Sequence, residues 1–200
     1  RLVRPPRARA LLVLGFEDDV EGARRVPDLL EAGPYTVESL SAELLALAHA
    51  HVDDVGLPDG GAWLLVEARG PDATAAHEHG ERLAEAIGRS LDAPDVRFIP
   101  DERAQAALWK IREDGAGHSS RLADGTRAWP GFEDSAVPPD RLADYLPGLR
   151  ELLVEHRMQA ISYGHYGEGC IHLRVGFGLG EPGGTERFER FMSDAADLVV

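Results

Sequence analysis

The 200-residue sequence holds one cysteine, Cys170, and one lysine, Lys110. A single thiol excludes an internal disulfide framework and fits a reducing, cytoplasmic setting. The scarcity of lysine reads as coding bias rather than chemistry. Positive charge is scarce as well. Against 35 Asp and Glu stand 21 Lys and Arg, for a formal net charge of −14. Binding to a phosphate backbone needs clustered cations, so no nucleic acid is expected as partner. A small anionic substrate stays open, because one or two buried arginines can hold a carboxylate inside an acidic protein. Long apolar runs are missing too. The stretch Trp63–Val66 is typical of the longest, far short of the ~20 residues that span a bilayer as a helix. Any membrane association would therefore be peripheral. The N-terminal Arg-Leu-Val-Arg-Pro-Pro-Arg has no apolar signal-peptide core and no initiator Met. With Leu198-Val199-Val200 at the other end, both termini read as cuts through a longer chain.

What is present is ordinary for a globular domain: 44% hydrophobic and 28% charged residues, enough for one well-packed core. Ala10–Phe16 is an apolar run that predicts a buried strand. Asp18 and Asp19 then offer N-caps for a helix carried by Val20, Ala23, Val26, Leu29 and Leu30. Tyr35–Glu38 predicts a strand, Leu40–Ala50 a helix, Trp63–Ala68 a strand, Ala75–Ile87 a helix and Val96–Ile99 a short strand. Further on, helices are predicted at Glu102–Arg112, from Leu142 to Leu153, and at Thr185–Leu198. Pro147 predicts a kink or a break in the second of these. Strands are predicted at Glu133–Val137, Ala160–Tyr163 and Cys170–Phe177. The alternation implies an α+β fold: an antiparallel, ferredoxin-like sheet with helices packed on one face.

Chemistry concentrates in Tyr163-Gly-His-Tyr-Gly-Glu-Gly-Cys-Ile-His-Leu-Arg174. Three glycines permit a tight connection that brings His165 and His172 together. In the strand that follows, Ile171, Leu173 and Val175 should face the core, while Cys170, His172 and Arg174 face the other way. His165 and His172 are candidate ligands for a divalent metal, with Glu168, Glu133 or Asp134 as possible third ligands. Other histidines read as bland. His77 and His79 are two apart on a helix and cannot share a face. The same holds for His49 and His51, and His118 sits in a polar loop. Cys170 as a nucleophile would need an adjacent base and a lowered pKa. Trp63, Trp109 and Trp129 read as packing anchors. Tyr163 and Tyr166 flank His165 and are candidates to line its pocket.

The run Gly164-His165-x-Gly167-Glu168-Gly169-x-x-His172 resembles the Gly-His-x-Gly-Asp-Gly-Asn-x-His signature of FAD-linked oxidases. These are the D-lactate, D-2-hydroxyglutarate and glycolate dehydrogenases of the vanillyl-alcohol oxidase superfamily. Leu108-Trp109-Lys110-Ile111-Arg112-Glu113 is similar to the family's Trp-x-x-Arg helix. Phe132–Pro138 resembles its Asp-x-x-Val-Pro strand, and Tyr35–Leu40 a segment carrying a Glu before the second helix. The resemblance implies that residues 1–200 are the substrate-binding cap of an FAD-dependent 2-hydroxy-acid dehydrogenase, with the FAD-binding domain upstream. It implies that His165 and His172 bind zinc or manganese, and that Arg112 pairs with the substrate carboxylate. Hydride then passes from the substrate carbon to FAD. Cys170 stands where the family has Asn and Glu168 where it has Asp, so Cys170 and Arg174 are candidate substrate contacts that shift specificity. The family's third metal ligand, in a later Glu-His-Gly motif, finds no match here, which leaves two histidines of the site and a fragment expected to be inactive alone. The competing readings are a ferredoxin-like interaction or homodimerisation module with a structural Gly/His loop, and a stand-alone metallohydrolase.

Overall fold

A computed structural model describes residues 6–50, 56–90, 95–99, 101–114 and 120–200. The first half runs β1 (Ala8–Phe16), α1 (Asp19–Glu31), β2 (Thr36–Ser41), a short α2 (Ala42–Leu47), β3 (Ala62–Gly70), α3 (Ala73–Ser90), β4 (Asp95–Ile99) and α4 (Glu102–Glu113). Its strands form one antiparallel sheet in the order β2-β3-β1-β4. With α1 joining β1 to β2 and α3 joining β3 to β4, this is the ferredoxin-like arrangement. Short polar side chains start the helices. The Asp18 carboxylate accepts the Glu21 amide at 2.8 Å, Ser41 the Leu44 amide at 3.2 Å and Asp101 the Ala104 amide at 2.9 Å. Ser41 explains one boundary: Leu40 and Ser41, predicted as helix, finish β2, and the helix begins after the cap.

The second half is β5 (Trp129–Ala136), α5 (Leu142–Glu155), β6 (Ala160–His165), a one-turn 3-10 helix (Tyr166–Glu168), β7 (Cys170–Val175) and α6 (Gly184–Val199). Here a second antiparallel sheet forms, in the order β5-β7-β6. β5 starts earlier than predicted because Pro130 is accommodated where the pairing with β7 is irregular. The stretch from Leu142 to Glu155 stays one helix despite Pro147.

The two sheets meet where β6 lies beside β2. The Ser39 hydroxyl accepts the Gly164 amide at 2.9 Å and donates to the Gly164 carbonyl at 3.3 Å. One side chain thus satisfies both backbone groups that a ladder would otherwise pair. Around the four-stranded sheet, both faces are closed. Leu12, Leu14, Val37, Leu64 and Val66 join the buried residues of α1 and α3. This is the helical face the sequence predicts. The opposite face is covered as well, with Leu11, Val13, Trp63 and Leu65 meeting Leu44 and Leu45 of α2, Leu108 of α4, and Ile161 and Tyr163 of β6. Burial on both sides accounts for the unbroken apolar run of β1, since alternation survives only where one face is wet.

Candidate active site

The polar residues of the site lie in a row across the seam between the sheets. Glu38 stands on β2, Tyr163 and His165 on β6, and Cys170, His172 and Arg174 on β7. Antiparallel register sets Tyr163 opposite His172 and His165 opposite Cys170. The alternation read from the sequence holds: Ile171, Leu173 and Val175 are fully buried in the core, and Cys170, His172 and Arg174 are half-buried on the other face. The bend between β6 and β7 requires glycine at 169. Its φ is +67°, and a Cβ there would lie 1.9 Å from the Val137 carbonyl.

That bend brings the imidazoles of His165 and His172 edge to face, with centroids 5.0 Å apart. Tyr163 packs 5.2 Å from the His172 ring on one side and under the Arg112 guanidinium, also at 5.2 Å, on the other. Tyr166, the other expected lining residue, instead belongs to the apolar core and is 2% exposed. The 3-10 turn directs it inward, and burial pushes its phenol pKa well up.

At the centre of the row is Glu38, 6% exposed, which sequence reading placed in a matching segment without assigning it a role. Its carboxylate accepts Arg112 Nη2 at 2.7 Å and the Thr36 hydroxyl at 2.9 Å, and His165 Nδ1 lies 2.9 Å from each of its oxygens. The one signal in the sequence was the resemblance of Tyr35–Leu40 to a segment carrying a Glu. Arg112 arrives from α4, whose Leu108 anchors the helix to the sheet. Arg112 is 6% exposed, and its Nε has no partner among the described residues.

The predicted third ligands separate. Asp134 approaches His172 Nδ1 at 3.2 Å and the Cys170 sulfur at 3.8 Å from a position in β5 with φ +59°. Glu133 pairs with Arg174 at 3.0 Å. Glu168 stays near His165: ligand atoms of Glu38, His165 and Glu168 all lie within 4.8 Å of one another, the one such trio among the described residues. Burial, then the neighbouring His165 and the Arg112 charge, hold the His172 pKa below the ordinary imidazole value. The ring therefore stays neutral near neutral pH, with one nitrogen lone pair available. Burial, with Asp134 next, pushes the Cys170 thiol up, which disfavours a thiolate nucleophile. The remaining histidines lie elsewhere. His77 stacks on Phe98, and His79 contacts the backbone of Arg69 and Gly33. His51 and His118 fall outside the described residues.

The family model described as FAD linked oxidases, C-terminal domain, matches residues 5–200. The D-2-hydroxyglutarate dehydrogenase of Escherichia coli strain K12 is 23% identical over 213 residues, which cover all of this chain and 20% of that protein. The mitochondrial D-2-hydroxyglutarate dehydrogenase of Rattus norvegicus is 28% identical over 184 residues, covering 87% of this chain and 33% of the relative. The chain thus spans a fifth to a third of the length of these relatives. In structure, p-cresol methylhydroxylase with substrate bound superposes with a TM-score of 0.65 at 13% identity, over 96% of this chain and 43% of the other.

Proposed function

We propose, from the premise that this chain belongs to the family of FAD-linked oxidase C-terminal domains, that residues 1–200 form the substrate-binding cap of an FAD-dependent 2-hydroxy-acid dehydrogenase. The names of the E. coli and rat relatives favour a D-2-hydroxy acid as substrate. The observation that carries the reading is the meeting of the two motif imidazoles, 5.0 Å apart, each with its Nδ1 at a carboxylate. That arrangement fits a divalent metal, since neither Nε2 atom has a hydrogen-bond partner among the described residues. In this reading His165 and His172 hold zinc or manganese. Bound there, the metal supplies Lewis-acid charge at the substrate's hydroxyl and carboxylate oxygens. FAD supplies the hydride acceptor.

The chain's own residues do the rest. Arg112 carries, beside its bond to Glu38, an Nε–H with no partner among the described residues, so its fork retains donor capacity for a substrate carboxylate. Tyr163 walls the site between Arg112 and His172 and excludes water there. Cys170 and Arg174, on the same strand face as His172, line the approach and bear on which acid fits. No described helix is long and apolar enough to cross a membrane.

The test is the protein at its full natural length. It is expected to bind flavin and to reduce a dye with D-2-hydroxyglutarate or another D-2-hydroxy acid. His165→Ala and His172→Ala are each expected to lose metal and activity while keeping the flavin spectrum. Full activity in both variants would end the metal role. Absence of flavin from the wild type would end the dehydrogenase reading.

A further inference from the structure

We infer that Glu38 is the positioning residue of this site, one buried carboxylate that sets both the ligand nitrogen of His165 and the fork of Arg112. The inference rests on the roles proposed above for those two residues. It is carried by the hydrogen-bond geometry around Glu38. A carboxylate accepts at both oxygens and donates at neither. His165 Nδ1 lies 2.9 Å from Glu38 Oε1 and 2.9 Å from Oε2, so the nitrogen between them carries the proton. The lone pair is then on Nε2, at the far side of the ring. A carboxylate behind a histidine fixes tautomer and ring orientation in this way, and raises the basicity of the nitrogen that faces the metal.

Glu38 is not a metal ligand on this geometry, although it belongs to the trio with His165 and Glu168. Its oxygens already take the Thr36 hydroxyl, Arg112 Nη2 and His165 Nδ1. Its side chain is 7% exposed and that of Arg112 8%, which leaves neither an easy exit to water. The second imidazole is held differently. Asp134, with its side chain 77% exposed, reaches His172 Nδ1 at 3.2 Å. An exposed carboxylate on a strand bulge constrains a ring less than a buried one locked by three donors. The two carboxylates behind the two histidines therefore do unequal work, and Glu38 also ties the metal-facing ring to the residue that reads the substrate's charge.

Two measurements test this on the full-length protein. With ¹⁵N-labelled histidine at pH 8 and no metal, His165 is expected to show the Nδ1–H tautomer, the reverse of the form free histidine prefers in water. Zn²⁺ titrated by calorimetry is expected to bind Glu38→Gln about 10- to 100-fold more weakly than the wild type, and Asp134→Asn with a smaller loss. An Nε2–H tautomer at His165 overturns the inference, and so does wild-type Zn²⁺ affinity in Glu38→Gln. If Glu38→Gln does not fold, the wild-type tautomer and the Zn²⁺ affinity of Glu38→Asp decide in the same directions. If Zn²⁺ binding is untouched by His165→Ala and His172→Ala, the metal role fails by itself. The tautomer then decides the role of Glu38 alone: Nδ1–H upholds it and Nε2–H overturns it.

Discussion

The two faces of the four-stranded sheet are made by the same strands and have opposite characters. The face under α1 and α3 carries no charged group in its buried cluster, which is built on Leu12, Leu14, Val37, Leu64 and Val66 with Phe16 at its edge. The face under α2 and α4 mixes apolar residues, Leu11, Val13, Leu40, Trp63 and Leu65, with charged ones. In the same cross-strand rows it carries ionic side chains: Glu38, opposite Leu65, with Arg112, and the fully buried Glu67, opposite Leu11, with Arg69 and Arg9. Because successive strand residues point to opposite sides, a strand can anchor a core with one set of side chains and hold charges with the other. The first face makes the sheet stiff. The second uses that stiffness to hold charges at fixed positions out of water.

That contrast can be broken in a graded way. The largest loss is expected from Glu38→Ala, which strands a buried guanidinium; a cost of about 3–5 kcal/mol in denaturant unfolding is expected. Leu12→Ala on the aliphatic face, where the damage is a cavity, is expected to cost about 3 kcal/mol. It should leave Zn²⁺ affinity unchanged, whereas Glu38→Ala should reduce it. The double variant Glu38→Met with Arg112→Leu is expected to change stability least, within about 1 kcal/mol of the wild type, because apolar replacement of a buried ion pair is often neutral. It should nonetheless abolish binding of the hydroxy acid. If the double variant were as unstable as Glu38→Ala, the charges on this face would be structural rather than functional.

Much of the scaffold was legible because it rests on local rules. The alternation of β7 puts His172 and Arg174 on one side and Ile171 and Leu173 on the other. The cap at Asp18 follows from side-chain chemistry. The glycines around His165 marked the bend. What stayed hidden depends on distant partners. Glu38 is separated from Arg112 by 74 residues and from His165 by 127, and nothing local distinguishes it from a solvated strand carboxylate. The division into two sheets was hidden for the same reason, since it turns on where Ser39 meets Gly164. Tyr166 was misassigned to the pocket because adjacency to His165 does not survive the 3-10 turn, which sends neighbouring side chains in different directions.

The clamp at Gly169 has a consequence for how this hairpin can change over time. Its backbone is wedged against the Val137 carbonyl, and the strands it joins have a side-chain period of two. Adding or removing one residue between His165 and Cys170 would rotate the whole of β7 by half a period. Ile171 and Leu173 would then enter the polar site, while His172 and Arg174 were driven into the core. The length of this hairpin is therefore tied at once to the chemistry and to folding, and drift by single residues is closed to it even though the turn itself lies near the surface.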